Sequence, residues 1–135
     1  MTGLINANET VKHPGQLFIG GEWVEPSTSA RFDVLNPATE DVFLTVAEAD
    51  AQNVSRAVDA AREAFDRGPW ARMTHAERAP YVHAIGAAIR ERSAELGWIW
   101  TSEMGILAAV SRYASAQSGD VFDYYAGLAG SYEWV

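Results

Sequence analysis

Three histidines, His13, His75 and His83, are the side chains best suited to general acid–base chemistry, because only imidazole changes charge near neutrality unaided. None has a catalytic partner at recognisable spacing. His13 sits in a polar opening stretch, His75 falls in the first turn of a predicted helix, and His83 lies beside the apolar face of the same helix. With no neighbouring thiol, serine elbow or second histidine at ligand spacing, structural roles are expected for all three. Asp120 and Asp123 stand three apart on a predicted helix and have the chemistry to share a metal or a proton. No third ligand follows one or two turns on, so a solvated helix face is the expectation. Gly20-Gly21 has the composition of a phosphate loop, but it joins two β-favouring runs and opens no helix, so a tight hairpin turn accounts for it. Cysteine is absent from all 135 residues, which removes disulfides, thiolate metal sites and thiol nucleophiles. The five tryptophans are scattered, as core or interface anchors are, and make no stacking platform.

Charge narrows the partners further. A formal charge of −8 and an isoelectric point near 4.7 repel phosphate backbones and anionic lipid headgroups, so neither nucleic acid nor a membrane surface is an expected partner. No apolar run approaches the roughly 20 residues that span a bilayer. The opening Met1–Glu9 has no basic region followed by an apolar one, and the cytoplasm is the expected compartment. The sequons at Asn8 and Asn53 carry no weight without a secretory signal.

The elements that must hold these residues can be read from periodicity. Residues 1–16 are polar and aperiodic, with a turn signal at His13-Pro14-Gly15, and are expected to form a loosely held leader. Leu17-Phe18-Ile19 and Glu22-Trp23-Val24 flank Gly20-Gly21 as a first hairpin. Arg31–Leu35 and Val42–Val46 flank the turn Asn36–Asp41 as a second. After Asp50, a good N-cap, the period changes to 3.6: Val54, Ala57, Val58, Ala61 and Phe65 form one apolar stripe, ended by Gly68-Pro69. Thr74 and Glu77 have capping-box spacing and open a second helix that carries Val82, Ile85, Ile89 and Leu96 as far as Gly105. Pro80 lies past its first turn, so a kink or a distorted start is expected. A third helix is expected from about Leu107 to Tyr132, with Gly119 weakening its middle.

Leu17–Val24, followed by Phe32-Asp33-Val34-Leu35-Asn36-Pro37-Ala38-Thr39-Glu40, resembles the opening of the aldehyde dehydrogenase superfamily. Val54–Phe65 with Trp70, Glu77-Arg78, Glu103-Met104-Gly105 and Tyr124–Ala129 continue the resemblance in order, over residues 17 to 132. It implies an α/β enzyme several times longer, with a Rossmann-like cofactor domain, a catalytic domain and a β oligomerisation arm. Residues 17–135 would form an incomplete N-terminal part of the cofactor-binding domain. In the family a cysteine thiolate attacks the aldehyde, an asparagine and a backbone N–H hold the oxyanion, hydride passes to NAD or NADP, and a glutamate activates the hydrolytic water. Those parts come later in the family's chain, and a thiohemiacetal needs a thiol that this chain lacks. No catalytic or dinucleotide-contacting residue is therefore carried over, and no cofactor is expected to bind this chain alone.

Two family features do transfer by position. The resemblance implies a monovalent cation held by the backbone oxygens of Val34 and Leu35 and the carboxylate of Glu103, with a further ligand supplied from later in the family's chain. It also implies that Gln117 and Val121, on the third helix, approach the wall of the substrate entrance. Ile106-Leu107 stands where many members have Lys-Pro, a departure that bears on the register of that helix. The expected function is that of an N-terminal fragment or subunit of an NAD(P)-dependent aldehyde dehydrogenase, partnered by the remainder of such a chain or a full-length relative. The alternative is a non-catalytic interaction module. Apolar stripes without a covering layer lead to an expectation of self-association or partial unfolding.

Overall fold

A computed structural model describes residues 10–133 and shows two β-hairpins followed by four helices, an α/β arrangement as the sequence leads one to expect. The first hairpin pairs β1 (Leu17–Ile19) with β2 (Glu22–Val24), antiparallel, with Phe18 opposite Trp23. Gly20 and Gly21 have φ of 65° and 90°. Two successive positive φ angles match the twist of the flanking strands, and only glycine takes them without strain. The second hairpin pairs β3 (Arg31–Leu35) with β4 (Val42–Ala47), with an irregularity where the register steps from Val34 opposite Leu44 to Leu35 opposite Val42. Its turn is closed by the Asn36 side chain, whose Oδ1 accepts from the Ala38 N–H at 2.9 Å.

Helix α1 (Ala51–Arg67) starts where Asp50 was expected to cap it: the Asp50 carboxylate accepts from the Asn53 N–H at 2.9 Å. Helix α2 (His75–Glu91) has the full capping box, Thr74 Oγ1 accepting from the Glu77 N–H at 3.2 Å while the Glu77 carboxylate accepts from the Thr74 N–H at 2.7 Å. The Thr74 backbone N–H first, and then the Thr74 hydroxyl, which donates to the same carboxylate at 2.9 Å, hold the Glu77 carboxyl below its ordinary range. Helix α2 runs unbroken through Pro80.

The single second helix expected as far as Gly105 is in fact two, α2 and α3 (Ser93–Met104). The break is at Arg92. Its backbone leaves the helical well at φ −98°, ψ 11°, and its carbonyl then accepts from the Leu96 N–H to start α3. Its guanidinium closes on Glu95. Helix α4 (Ala108–Gly127) is followed by a single 3₁₀ turn, Leu128–Gly130, so the third predicted helix ends as α-helix five residues before Tyr132. Among the described residues no helix is long and apolar enough to cross a membrane.

The chain divides into two compact units. Among the described residues, one comprises those up to Pro69 with Ser102–Gly105; the other comprises Trp70–Thr101 with those from Ile106 onward. In the first, Leu44 and Ala47 of β4 are buried, and so is Asn53, at 1% exposure. Asn53 Nδ2 donates to Ser27 Oγ at 2.6 Å and to Asp50 Oδ1 at 2.7 Å, while its Oδ1 accepts from the Ser27 N–H at 3.1 Å. A buried amide with all these contacts satisfied ties the loop after β2 to the start of α1. The apolar stripe of α1 takes no part in this core: Val54, Val58 and Phe65 are 55%, 54% and 65% exposed. Of the stretch expected to be a loose leader, residues 1–9 lie outside the described residues. Within the rest, the Pro14 carbonyl accepts from the Ala47 N–H at 2.8 Å, and the His13 ring stacks on Trp23 at 4.3 Å.

In the second unit α2 and α4 cross at two glycines. A Cβ added to Gly86 would lie 2.7 Å from the Gly119 carbonyl oxygen, and one added to Gly119 would lie 2.6 Å from the Gly86 carbonyl oxygen. Gly119, which costs α4 local helix propensity, is thus the residue that lets the helices approach. Where α3 and α4 meet, Ser111 is fully buried and its hydroxyl pairs with that of Thr101 at 2.7 Å.

Candidate functional site

The residues named from the sequence fall into three places. The first is the cation position. The backbone of Val34 and Leu35 is at the irregular end of the second hairpin, just before the Asn36-Pro37 turn. Glu103 is exposed near the end of α3, two residues before Gly105. Gly105 ends that segment with φ of 69°, and a Cβ there would meet the Pro37 ring at 3.0 Å. The glycine that terminates the segment therefore rests on the turn that follows Val34 and Leu35. Among the described residues no group of three or more His, Cys, Asp or Glu side chains could hold a metal. A cation here would depend on main-chain carbonyls and one carboxylate, a hard-oxygen set suited to a weakly bound monovalent ion.

The second place is the outer side of α4. Gln117 and Val121 line an open groove of about 660 Å³ together with Ala114, Asp120 and Tyr124. All of these come from a single helix, one to two turns apart, so the helix alone sets their spacing. Tyr124 and Tyr125 meet edge to face at 5.3 Å at its far end.

The third was not legible as a site. His83, Arg90, Asp120 and Asp123 form one network between α2 and α4. His83 Nδ1 is 2.7 Å from Asp123 Oδ1, Arg90 Nη2 is 2.6 Å from Asp123 Oδ2, and Arg90 Nη1 is 3.2 Å from Asp120 Oδ1. The expectation of a simply solvated Asp120–Asp123 face is corrected accordingly: solvent reaches the pair, but both carboxylates carry cross-helix partners. The His83 contact, then the guanidinium of Arg90, hold the Asp123 carboxyl below the ordinary carboxylate range. The signal that could have found the network is the spacing of residues 83 and 90 about Gly86 on one helix and of 120 and 123 beside Gly119 on the other.

His75 lines a smaller cleft of about 130 Å³ with Trp70, Arg78, Val82 and Tyr125. Arg78 covers the Trp70 ring at 5.6 Å and its Nε donates to the Trp70 carbonyl at 3.1 Å, which folds the Trp70–Arg72 turn onto α2. Gly20-Gly21 joins strand to strand and therefore offers no helix N-terminus to a dinucleotide phosphate.

Comparison with known proteins places this arrangement. The model of the Aldehyde dehydrogenase family matches residues 23–134. Aldehyde dehydrogenase family 2 member C4 of Arabidopsis thaliana is 38% identical over 133 residues, which is 94% of this chain and 26% of that protein. Betaine aldehyde dehydrogenase 1 of rice is 40% identical over 116 residues, 84% of this chain and 23% of that protein. Among solved structures, betaine aldehyde dehydrogenase from Staphylococcus aureus in complex with NAD+ is similar with a TM-score of 0.82 at 35% identity, covering 90% of this chain and 24% of that one. An NAD-dependent aldehyde dehydrogenase from Sinorhizobium meliloti gives 0.81 at 35%, over 87% and 24%. The chain thus spans about a quarter of the length of the relatives it matches. With the family's sequence pattern over nearly the whole chain and the family's backbone beneath it, this chain belongs to the aldehyde dehydrogenase family.

Proposed function

We propose that this chain serves as the N-terminal part of an aldehyde-oxidising enzyme that uses NAD or NADP and is completed by residues outside these 135. The observation that carries this reading is the match over residues 23–134 to a family whose members are about four times as long. No cysteine is present, so the thiol that the family's reaction needs would come from the completing part. The exposed stripe of α1 supports the same reading, because Val54, Val58 and Phe65, the apolar side of an amphipathic helix, are each more than half exposed among the described residues. Left uncovered, that stripe drives self-association. Relatives named for betaine aldehyde and aminoaldehydes make amino-substituted aldehydes the first substrates to try.

Within this reading Gln117 and Val121 form part of the substrate entrance, supported by their place in the open groove on α4. The backbone oxygens of Val34 and Leu35 with the Glu103 carboxylate hold a monovalent cation, supported by the seating of Gly105 on Pro37. For the cation, the completed enzyme gains thermal midpoint in potassium over tetramethylammonium, and Glu103→Gln removes the gain; an unchanged gain removes Glu103 from the site. The expected compartment is the cytoplasm, checked by fractionating cells that express a tagged copy.

The reading is tested by sedimentation of the purified chain alone and mixed with the complementary part of a full-length relative. A defined heteromeric complex supports it. Sedimentation of the mixture as two independent species, with both parts folded, favours a non-catalytic interaction module with some other partner.

A further inference from the structure

We propose that α1 is a dimerisation helix: in the chain by itself its apolar stripe pairs with the same stripe of a second copy, antiparallel about a two-fold axis that passes between Asp59 and Ala60.

Val54, Val58, Ala61 and Phe65 follow one another at spacings of four, three and four, the narrow seam with which one helix packs along another. All four are exposed, Val54, Val58 and Phe65 by more than half. The helix meets its own unit through other residues. Asn53 is buried, and Ala60 lies beside the turn of the first hairpin, where a Cβ on Gly20 would be 3.7 Å from the Ala60 Cβ. At about 3.6 residues per turn, the centre of the stripe is roughly a third of a turn around the helix from that inner side.

The stripe by itself marks a face to be covered; its layers and flanks fit a second copy. Antiparallel pairing sets Phe65 against Val54 of the second copy and Val58 against Ala61, so each layer joins a larger side chain to a smaller one. Parallel pairing would stack Phe65 on Phe65 and Ala61 on Ala61, a bulge one turn from a gap. On the flank toward the chain's own body stand Ala57 and Ala64, both exposed and small enough to let the helices approach. On the other flank stand Asp59 and Arg62. About the two-fold axis, Arg62 of each copy comes within about 3 Å, along the helix, of the level of Asp59 of the other, which makes two opposite-charge pairs. The parallel arrangement would set Arg62 beside alanines. Arg62 is already held at the edge of the seam, with Nη2 2.9 Å from Asp66 Oδ1 and its guanidinium over the Phe65 ring at 5.6 Å. Exposed pairs of this kind fix direction more than they add strength. Opposed helix dipoles favour the same direction.

An isologous contact uses one face on both copies, so it closes at two and leaves no stripe for a third. The seam is about 16 Å long and falls short of the roughly 800 Å² per partner of a standard complex, so the dimer dissociates at on the order of 10–100 µM. From the proposed function the pairing takes only that the rest of the enzyme covers the same stripe, so that pairing and completion exclude one another.

The chain has no cysteine, so introduced thiols report without background. Sedimentation equilibrium of the 135-residue chain shows monomer and dimer alone, the dimer rising with concentration; this arm needs no substitution. Ala57→Cys and Ala64→Cys, both at exposed positions, are then mixed and treated with a short bismaleimide, and the joined tryptic peptides are identified by mass spectrometry. Position 57 of one copy and 64 of the other are about 3 Å apart along the helix, and the two copies of position 64 about 13 Å, so the mixture gives roughly five times as much linked product as Ala64→Cys alone. Neither arm contains the completing part, so failure here leaves the proposed function standing, and failure to form a complex with that part leaves the dimer standing. A chain that stays monomeric at every concentration, association that continues past the dimer, or Ala64→Cys linking as well alone as in the mixture overturns the antiparallel pair.

Discussion

Replacing Gly86 by alanine isolates the crossing of α2 and α4. On helix propensity alone the change would stabilise the chain, by about 1 kcal/mol for an interior position. The added methyl would lie 2.7 Å from the Gly119 carbonyl oxygen and 3.2 Å from both Asp123 Oδ1 and Phe122 Cβ. The first of these belongs to helix backbone and cannot swing aside. Restoring an ordinary contact of 3.4 Å requires the helices to part by about 0.7 Å. That displacement stretches the 2.7 Å His83–Asp123 and 2.6 Å Arg90–Asp123 contacts to about 3.3–3.4 Å, the limit of a useful hydrogen bond. Overpacking costs about 1–3 kcal/mol, and the upper end applies because the opposing atom is rigid. Set against the propensity gain, the net loss is about 2 kcal/mol, or roughly 5–10 °C in midpoint for a chain of this size. Urea denaturation followed by circular dichroism measures it. Gly127→Ala is the control: Gly127 is helical at φ −63° with nothing within 4 Å of an added Cβ, so the same substitution stabilises by about 0.5–1 kcal/mol there. If Gly86→Ala stabilises as Gly127→Ala does, the helices do not meet at their glycines and the reasoning fails.

Two other perturbations separate core from open surface. Asn53→Ala removes a fully buried amide and leaves the Ser27 N–H without its acceptor, for a loss of about 1–3 kcal/mol in urea denaturation; a loss under about 0.5 kcal/mol would mean that the loop after β2 is not fixed through Asn53. Val58→Lys and Phe65→Lys fall on the exposed stripe, so each shifts stability by less than about 0.5 kcal/mol while shortening the self-associated species seen by sedimentation; a large loss of stability with unchanged association would place the stripe inside the fold.

Local signals in the sequence located most of the elements because each acts over a few residues. Two adjacent glycines between β-favouring runs, Asp50 ahead of a 3.6-residue period, and Thr74 with Glu77 all have their partners within one turn of chain. What they do not contain is contact between distant elements. Nothing in residues 83 or 123 alone says that they meet 40 positions apart, and Gly119 reads as a weak point in a helix until Gly86 is seen across from it. The break at Arg92 was hidden for a related reason: apolar residues on both sides keep a helical period, while the loss of regular backbone spans one residue. The stripe of α1 was legible as amphipathic, but a hydrophobic pattern marks a face to be covered without saying what covers it. The cation and substrate-entrance positions came from family resemblance; the fold adds the seating of Gly105 on Pro37 and the groove that Gln117 and Val121 share.

The measurement that bears most directly on the proposed role is aldehyde-dependent formation of NADH or NADPH, read at 340 nm with betaine aldehyde as substrate. The chain is assayed alone, with the separately expressed complementary part of a full-length relative, and that part is assayed by itself. Activity that arises only in the mixture, and rises with the amount of this chain until a stoichiometric complex is formed, is the predicted result. Activity from this chain alone, or full activity from the complementary part without it, would contradict the account.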